Sequence, residues 1–287
     1  MSGTTKAEGT MGKITTRGVN ARAIAVVDRL GRETATGPLQ GGVSGRVRAT
    51  LLSILLPAEF TIQVGRLRAT FLITSRFELE ALHAYRREPD GAMLADLLDL
   101  LQPDDVVWDV GANVGVVTCF AAQRLGPDQV VAIEPVPRTV DRLRHNLEIN
   151  GCGGTVFRYA LGSTTGQASL QQTGPPVAGT FARVTDDQET GLTVPVIPGD
   201  ELTTVWDIPA PTVLKIDVQG AEYDVLQGLD QRLTQDCRAL YLNIYEKHFS
   251  APDDGAAIRG FVTDRGFRVD RQWDWSGGQI VRAMRRN

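Results

Sequence analysis

Asp109, Gly111, Asn113 and Gly115 stand within the stretch WDVGANVG, directly behind the apolar pair Val106 and Val107. Glycine at 111 lets the chain turn and lets a ligand approach bare backbone. Glycine at 115 lets the following helix pack closely on its strand. The start of that helix is expected to offer unpaired N–H groups. The pattern D-x-G-x-N-x-G differs from the G-x-G-x-x-G of a dinucleotide site. A pyrophosphate prefers bare N–H groups and is repelled by a carboxylate, whereas Asp109 suits a cation such as an amino group or a sulfonium. A structural turn accounts for Gly111 but not for Asp109 together with Asn113.

Glu134 ends the apolar run VVAIEP, 25 residues after Asp109 and 19 after Gly115. A carboxylate at that place can accept hydrogen bonds from two vicinal ribose hydroxyls. A nucleoside with a cationic, amino-acid-bearing tail and no phosphates describes S-adenosylmethionine. Methyl transfer from a sulfonium gains mostly from alignment, and a hydroxyl acceptor also needs a base within hydrogen-bond reach. Asp217, in LKIDVQGAE, is the first candidate base, with capping of the next helix as its structural alternative. His248 is the second, with Glu246 as its orienting partner in YEKHF. His83 is a possible element of a substrate lid. Lys215 is either an active-site cation or a strand-end surface residue. Asp217, Asn243 and Glu246 could offer oxygens to a divalent ion, but residues three apart on a strand point to opposite faces, so no metal ligands are assigned.

Alternating elements must position these residues. DVVWDV, QVVAIEP, TVFRYAL, TVLKIDV and ALYLNIYE read as buried strands, with FRVDRQW and QIVRAMRR as a closing pair joined at Gly277–Gly278. Helical patterns follow most of them, including one opened by Pro137 and ended near Gly151. The alternation implies an α/β fold: a seven-stranded, mostly parallel sheet with an antiparallel last strand and helices on both faces. The polar, Gly/Pro-rich segment 163–200 breaks the rhythm and reads as irregular. Residues 1–75 read as an N-terminal extension, partly disordered, with a hairpin within Leu51–Ile73, and residues 76–287 as the main domain.

WDVGANVG, VVAIEPVP, YALGSTTG, PGDELT and LKIDVQGAEYDVLQG together resemble the FkbM-type S-adenosylmethionine-dependent methyltransferases, from about Leu94 to Leu242. The resemblance implies a Rossmann-like class I methyltransferase fold and O-methylation of a hydroxyl on a sugar, glycoconjugate or natural product. It adds Ala160 and Leu161 to the cofactor-binding set of Asp109, Gly111, Asn113, Gly115 and Glu134. Gln219 stands where the family often has an acid, so no essential acid can lie there. A nicotinamide-dependent oxidoreductase and a non-catalytic S-adenosylmethionine-binding protein on the same fold are the alternatives.

Composition narrows the partners. The net charge is -4, spread as ten Lys and Arg against four Asp and Glu in residues 1–75 and an acidic remainder. An acidic body argues against nucleic acid as the principal partner, and the resemblance implies a small-molecule or glycosidic hydroxyl acceptor. The basic first quarter could draw in an anionic acceptor. Cys119, Cys152 and Cys237 are too dispersed for a zinc site or a disulfide framework, which fits a cytoplasmic protein. No apolar run is long enough to span a bilayer. No oligomeric state is assigned.

Overall fold

The computed structural model describes residues 58–86, 88–172, 182–185, 191–245 and 254–286. The extension expected to be loosely ordered falls mainly on residues 1–57, outside the described residues. The expected hairpin is present as β1 (Glu59–Val64) and β2 (Leu67–Leu72), paired antiparallel. Its Phe60, Ile62, Ala69 and Phe71 are buried in the same core as α2 below. The division at residue 75 therefore separates segments that share one core. Asn150 clamps the hairpin, accepting from Thr70 N at 2.7 Å and donating to Thr70 O at 2.7 Å.

Two helices follow, α1 (Arg76–Ala84) and α2 (Asp90–Leu100). Ser75 and Glu78 start α1 with a reciprocal capping box, which satisfies amides that the first turn leaves unpaired. The main sheet then assembles from β3 (Val107–Val110), β4 (Val130–Ile133), β5 (Thr155–Phe157), β10 (Val213–Ile216), β11 (Ala239–Tyr245), β12 (Phe267–Trp275) and β13 (Gly278–Arg285). Its order is β12-β13-β11-β10-β3-β4-β5, parallel throughout except for β13, which is antiparallel to β11 and β12. Every residue of β3, β4 and β10 is buried. That is why they read as apolar runs, broken only by Asp109 and Lys215, rather than as alternations.

Helices α3 (Val116–Leu125) and α4 (Pro137–Ile149) join α2 on one face, around Leu94, Leu97, Phe120 and Leu143. On the other face, Leu202, Val225, Leu226, Leu233, Ile258 and Val262 come from α5 (Gly199–Trp206), α6 (Glu222–Gln227), α7 (Asp230–Gln235) and α8 (Asp254–Asp264). The chain runs β3, β4, β5 outward on one side and returns to β10 on the other side of β3. The ends of β3 and β10 thus form the switch point where an open α/β sheet takes its ligands.

Two expectations change here. TVFRYAL is not one strand: Thr155–Phe157 joins the main sheet, while Ala160–Leu161 (β6) pairs with β9 (Leu192–Ile197). The segment read as irregular holds most of a second sheet, ordered β6-β9-β7-β8, with β7 at Gly166–Gln172 and β8 at Ala182–Thr185. One face of β7 is polar and exposed, and it buries only Leu170 and Ser169 well. Half a strand's residues in solvent look like a loop when read in line.

The opposite end of β10 is tied by Asp105. Its Oδ1 accepts from Arg238 Nε at 2.8 Å and Thr212 Oγ1 at 2.7 Å. Its Oδ2 accepts from Gln102 N at 2.7 Å and from Arg238 Nη2. Burial pushes this carboxyl up, but the Arg238, Gln102 and Thr212 bonds outweigh it and hold it below its ordinary value. Asp105→Asn is expected to cost about 2 kcal/mol in urea unfolding at pH 7. A depressed carboxyl stabilises above its unfolded value of about 4, and that contribution is lost on acidification. The gap between wild type and variant should therefore close between about pH 5 and 3. A gap that stays constant over that range would show that the charge contributes nothing.

Candidate active site

A cavity of about 480 Å³ opens at the switch point, within the size range of small-molecule sites. Its floor is the glycine turn after β3 and the Asp217–Ala221 loop after β10. Ile133, Leu161 and Val116 give it an apolar wall, and Tyr85, Tyr245 and Trp275 line it as well.

Gly111 has φ 75°, a left-handed conformation, and a Cβ there would lie 1.9 Å from Asp217 O. Only glycine allows the ends of β3 and β10 to come this close. Gly111 N and Ala112 N donate to Ile133 O at 2.9 and 3.1 Å, and Asn113 N donates to Glu134 Oε2 at 3.1 Å. These amides of the turn are used internally. The N–H groups expected to be free are those at the start of α3, where Thr118 N is taken by Asp109 Oδ2. Gly115, at φ 86°, gives the close packing expected of it against Leu143 of α4, 3.0 Å from where its Cβ would be, rather than against its strand. It is not among the cavity walls.

Asp109 is completely buried and does not line the cavity. Its Oδ2 accepts from Thr118 N at 3.1 Å and Thr118 Oγ1 at 2.7 Å, which ties down the first turn of α3. Its Oδ1 lies 3.0 Å from Lys215 Nζ. The cation that Asp109 meets is therefore Lys215. That lysine is 2 % exposed, far from a strand-end surface position, and donates also to Gly111 O at 3.0 Å. Burial opposes its charge, yet Asp109 and Asp217 hold the ammonium above its ordinary value.

Glu134 lines the cavity at 7 % exposure. Its Oε1 accepts from Val136 N at 3.0 Å while Oε2 holds Asn113 N. Each oxygen keeps a second lone pair for a ligand hydroxyl. Burial pushes the carboxyl up to about 7, against the pull of the two amides. Asn113 and Ala160 with Leu161 line the same cavity, and Asn113 Oδ1 is buried without a hydrogen-bond partner.

Asp217 lines the cavity from the end of β10. Its Oδ1 accepts from Tyr245 Oη at 2.6 Å and Gln219 Nε2 at 3.3 Å. Tyr245 is raised well above the ordinary phenol value by burial and then by the Asp217 charge, so it stays a proton-bearing donor at neutral pH. Gln219 takes a left-handed φ of 61°, and its amide, in the place of an acid, joins Tyr245 in holding Asp217. Glu246 and His248 lie outside the described residues. His83 packs against Phe60, tilted by 57° at 5.1 Å between centroids, while its neighbours Ala81, Ala84 and Tyr85 line the cavity. Tyr245, Asp90 and Tyr85 are wall residues that sequence reasoning missed. Only the reading of nearby His83 as an element of a substrate lid hinted at the last two.

The carboxylates of Glu88, Asp90, Glu134 and Asp217 face this cavity, and no Lys or Arg does so among the described residues. No helix among them is long and apolar enough to cross a membrane. Comparison with known proteins agrees with the geometry. The hexuronic acid methyltransferase AglP of Haloferax volcanii is 36% identical over 173 residues, 60% of this chain and 68% of that protein. Methyltransferase 1 of Beauveria bassiana is 27% identical over 206 residues, 63% of this chain and 80% of that one. Among solved structures, the magnesium protoporphyrin IX methyltransferase of Synechocystis PCC 6803, with bound SAM, is similar at a TM-score of 0.47 and 16% identity, covering 74% of this chain and 85% of that one. The model of the methyltransferase FkbM domain matches residues 109–269, more than half of the sequence, and the chain belongs to that family of methyltransferases.

Proposed function

We propose that this methyltransferase takes S-adenosylmethionine as its donor and methylates a hydroxyl on a sugar, glycoconjugate or natural product. The observation that carries the reading is a cavity at the switch point faced by carboxylates and by no described cation. The donor set fits the cofactor: Glu134 for a diol, the Ile133–Leu161 wall for a flat base, and negative charge for a sulfonium. Bound there, the cofactor supplies a methyl group already activated for displacement.

The chain's own residues do the rest. Glu134 and Asn113 hold the nucleoside, and Asp109 with Lys215 keeps the glycine turn in place from below. Asp217 turns one oxygen to Tyr245 and Gln219. Its Oδ2 takes the acceptor hydroxyl's proton as the new bond forms. Glu246 and His248 are the other candidates for that proton. The hexuronic acid named for the Haloferax relative supports a sugar as acceptor.

Calorimetry with S-adenosylhomocysteine tests the donor site. Micromolar binding is expected, weakened about 10- to 100-fold in Glu134→Gln, with no binding of NADH. Because Glu134 titrates at about 7, and only its ionised form offers two acceptors, affinity should fall as pH drops from 8 to 6. The drop should be much smaller in Glu134→Gln. Wild-type protein that is folded and binds NADH but not S-adenosylhomocysteine would overturn the reading.

A further inference from the structure

With Asp109 consumed by Lys215, the amino group of the methyl donor needs another anion. Few remain. Glu222 is fully buried and is not a cavity wall, and Glu88 is exposed. Glu134 is bound to the amides of 113 and 136 on the β4 side. Asp217 is the candidate base. Asp90 is left. It is the first residue of α2, it lines the cavity, and it makes no ion pair with a described side chain.

Its position follows from the packing of α2. Tyr241 Oη donates to Asp96 Oδ2 at 2.8 Å, which fixes α2 against β11. Six residues back along the helix is about 9 Å, and two residues on along the strand is about 7 Å. Asp90 therefore stands near the level of Asn243, which also lines the cavity. Leu242 pairs with Ile216, so Asn243 lies next to Asp217 across the β11–β10 ladder. Asn243 is 3 % exposed, and its Oδ1 has no hydrogen-bond partner. A buried acceptor left open in this way is satisfied by a ligand that brings a donor. Burial, and then the Asp217 charge, push the Asp90 carboxyl up to about 6 against a weaker pull from the Lys215 ammonium.

We infer that Asp90 is the counter-charge for the α-ammonium of the methyl donor, with Asn243 Oδ1 as a second acceptor for its N–H groups. The inference rests on the donor reading above and moves the cation site from β3 to α2. It leaves Asp217 free for the acceptor hydroxyl, so that two carboxylates at one end of the cavity serve two different ligands.

The test is titration of the full chain with S-adenosylhomocysteine and with its des-amino analogue, which keeps the nucleoside, thioether and carboxylate. Wild type should prefer the natural compound by about 10- to 100-fold. Asp90→Asn should lose most of that preference while binding the des-amino compound at least as well as wild type does, which also reports that the variant is folded. Asp90→Glu should keep the preference, and Asn243→Leu should reduce it. An Asp90→Asn variant that retains the full preference, or that loses both compounds alike, overturns the inference while leaving the donor reading intact. A magnesium requirement for binding, abolished by Asp90→Asn, would assign the carboxylate to a metal instead. Wild type that binds neither compound removes the donor reading itself.

Discussion

Lys215→Met should destabilise the protein by about 3–5 kcal/mol. The side chains of Lys215 and Asp109 are 2 % and 1 % exposed and lie 3.0 Å apart. Methionine fills a similar volume but leaves Asp109 charged, dry and without its cation. The carboxylate cannot turn elsewhere, because its other oxygen is held by Thr118. Adding Asp109→Asn to Lys215→Met should recover at least half of the loss, since an amide still accepts from Thr118 and no charge stays buried. Urea unfolding of the two single variants and the double variant measures this. A loss below about 1 kcal/mol for Lys215→Met would mean that water reaches Asp109, contrary to the buried pair described above.

The second large effect falls on turnover. Asp217→Asn should lower kcat by about 10²- to 10⁴-fold and change S-adenosylhomocysteine affinity by less than about threefold. The amide keeps the Tyr245 contact but cannot take a proton. Tyr245→Phe, which removes only the orienting bond, should lower kcat by about tenfold. His248→Ala, run beside them with the same acceptor, separates the two candidate bases. If His248→Ala abolishes turnover while Asp217→Asn leaves it intact, Asp217 holds the acceptor without deprotonating it.

The features legible in sequence were local. WDVGANVG marks a tight turn because glycines at fixed offsets have few other uses, and the short runs VWDV, VVAI and VLKI mark parallel strands because their apolar residues do not alternate with polar ones. Glu134 was found by its distance along the chain from that turn, a distance that a β-α-β unit fixes. Lys215 as the cation at Asp109 was not legible for the opposite reason. Asp109 and Lys215 are 106 positions apart, and only the β3–β10 register, which sets Lys215 opposite Asp109, reveals that each neutralises the other. Tyr245 and Asp90 carry no local signature at all. Their roles depend on what stands across a ladder or above a sheet face. The second sheet was missed because its strands bury single residues such as Leu170 and Val194 against Val136, too few to leave a periodic mark.

The contact between Gly111 and the Asp217 carbonyl has an evolutionary consequence. Because the two loops that floor the cavity meet backbone to backbone, with Asp217 N bonded to Val110 O at 3.0 Å, neither can drift without dislodging the other. The parts around the mouth are under no such constraint. α1 with the start of α2, the second sheet, and the turn between β12 and β13 reach it from separate stretches of chain. Each can be lengthened, trimmed or exchanged alone. Relatives of this chain should therefore diversify in acceptor by remodelling that perimeter, around a methyl-delivering floor whose two halves are inherited together.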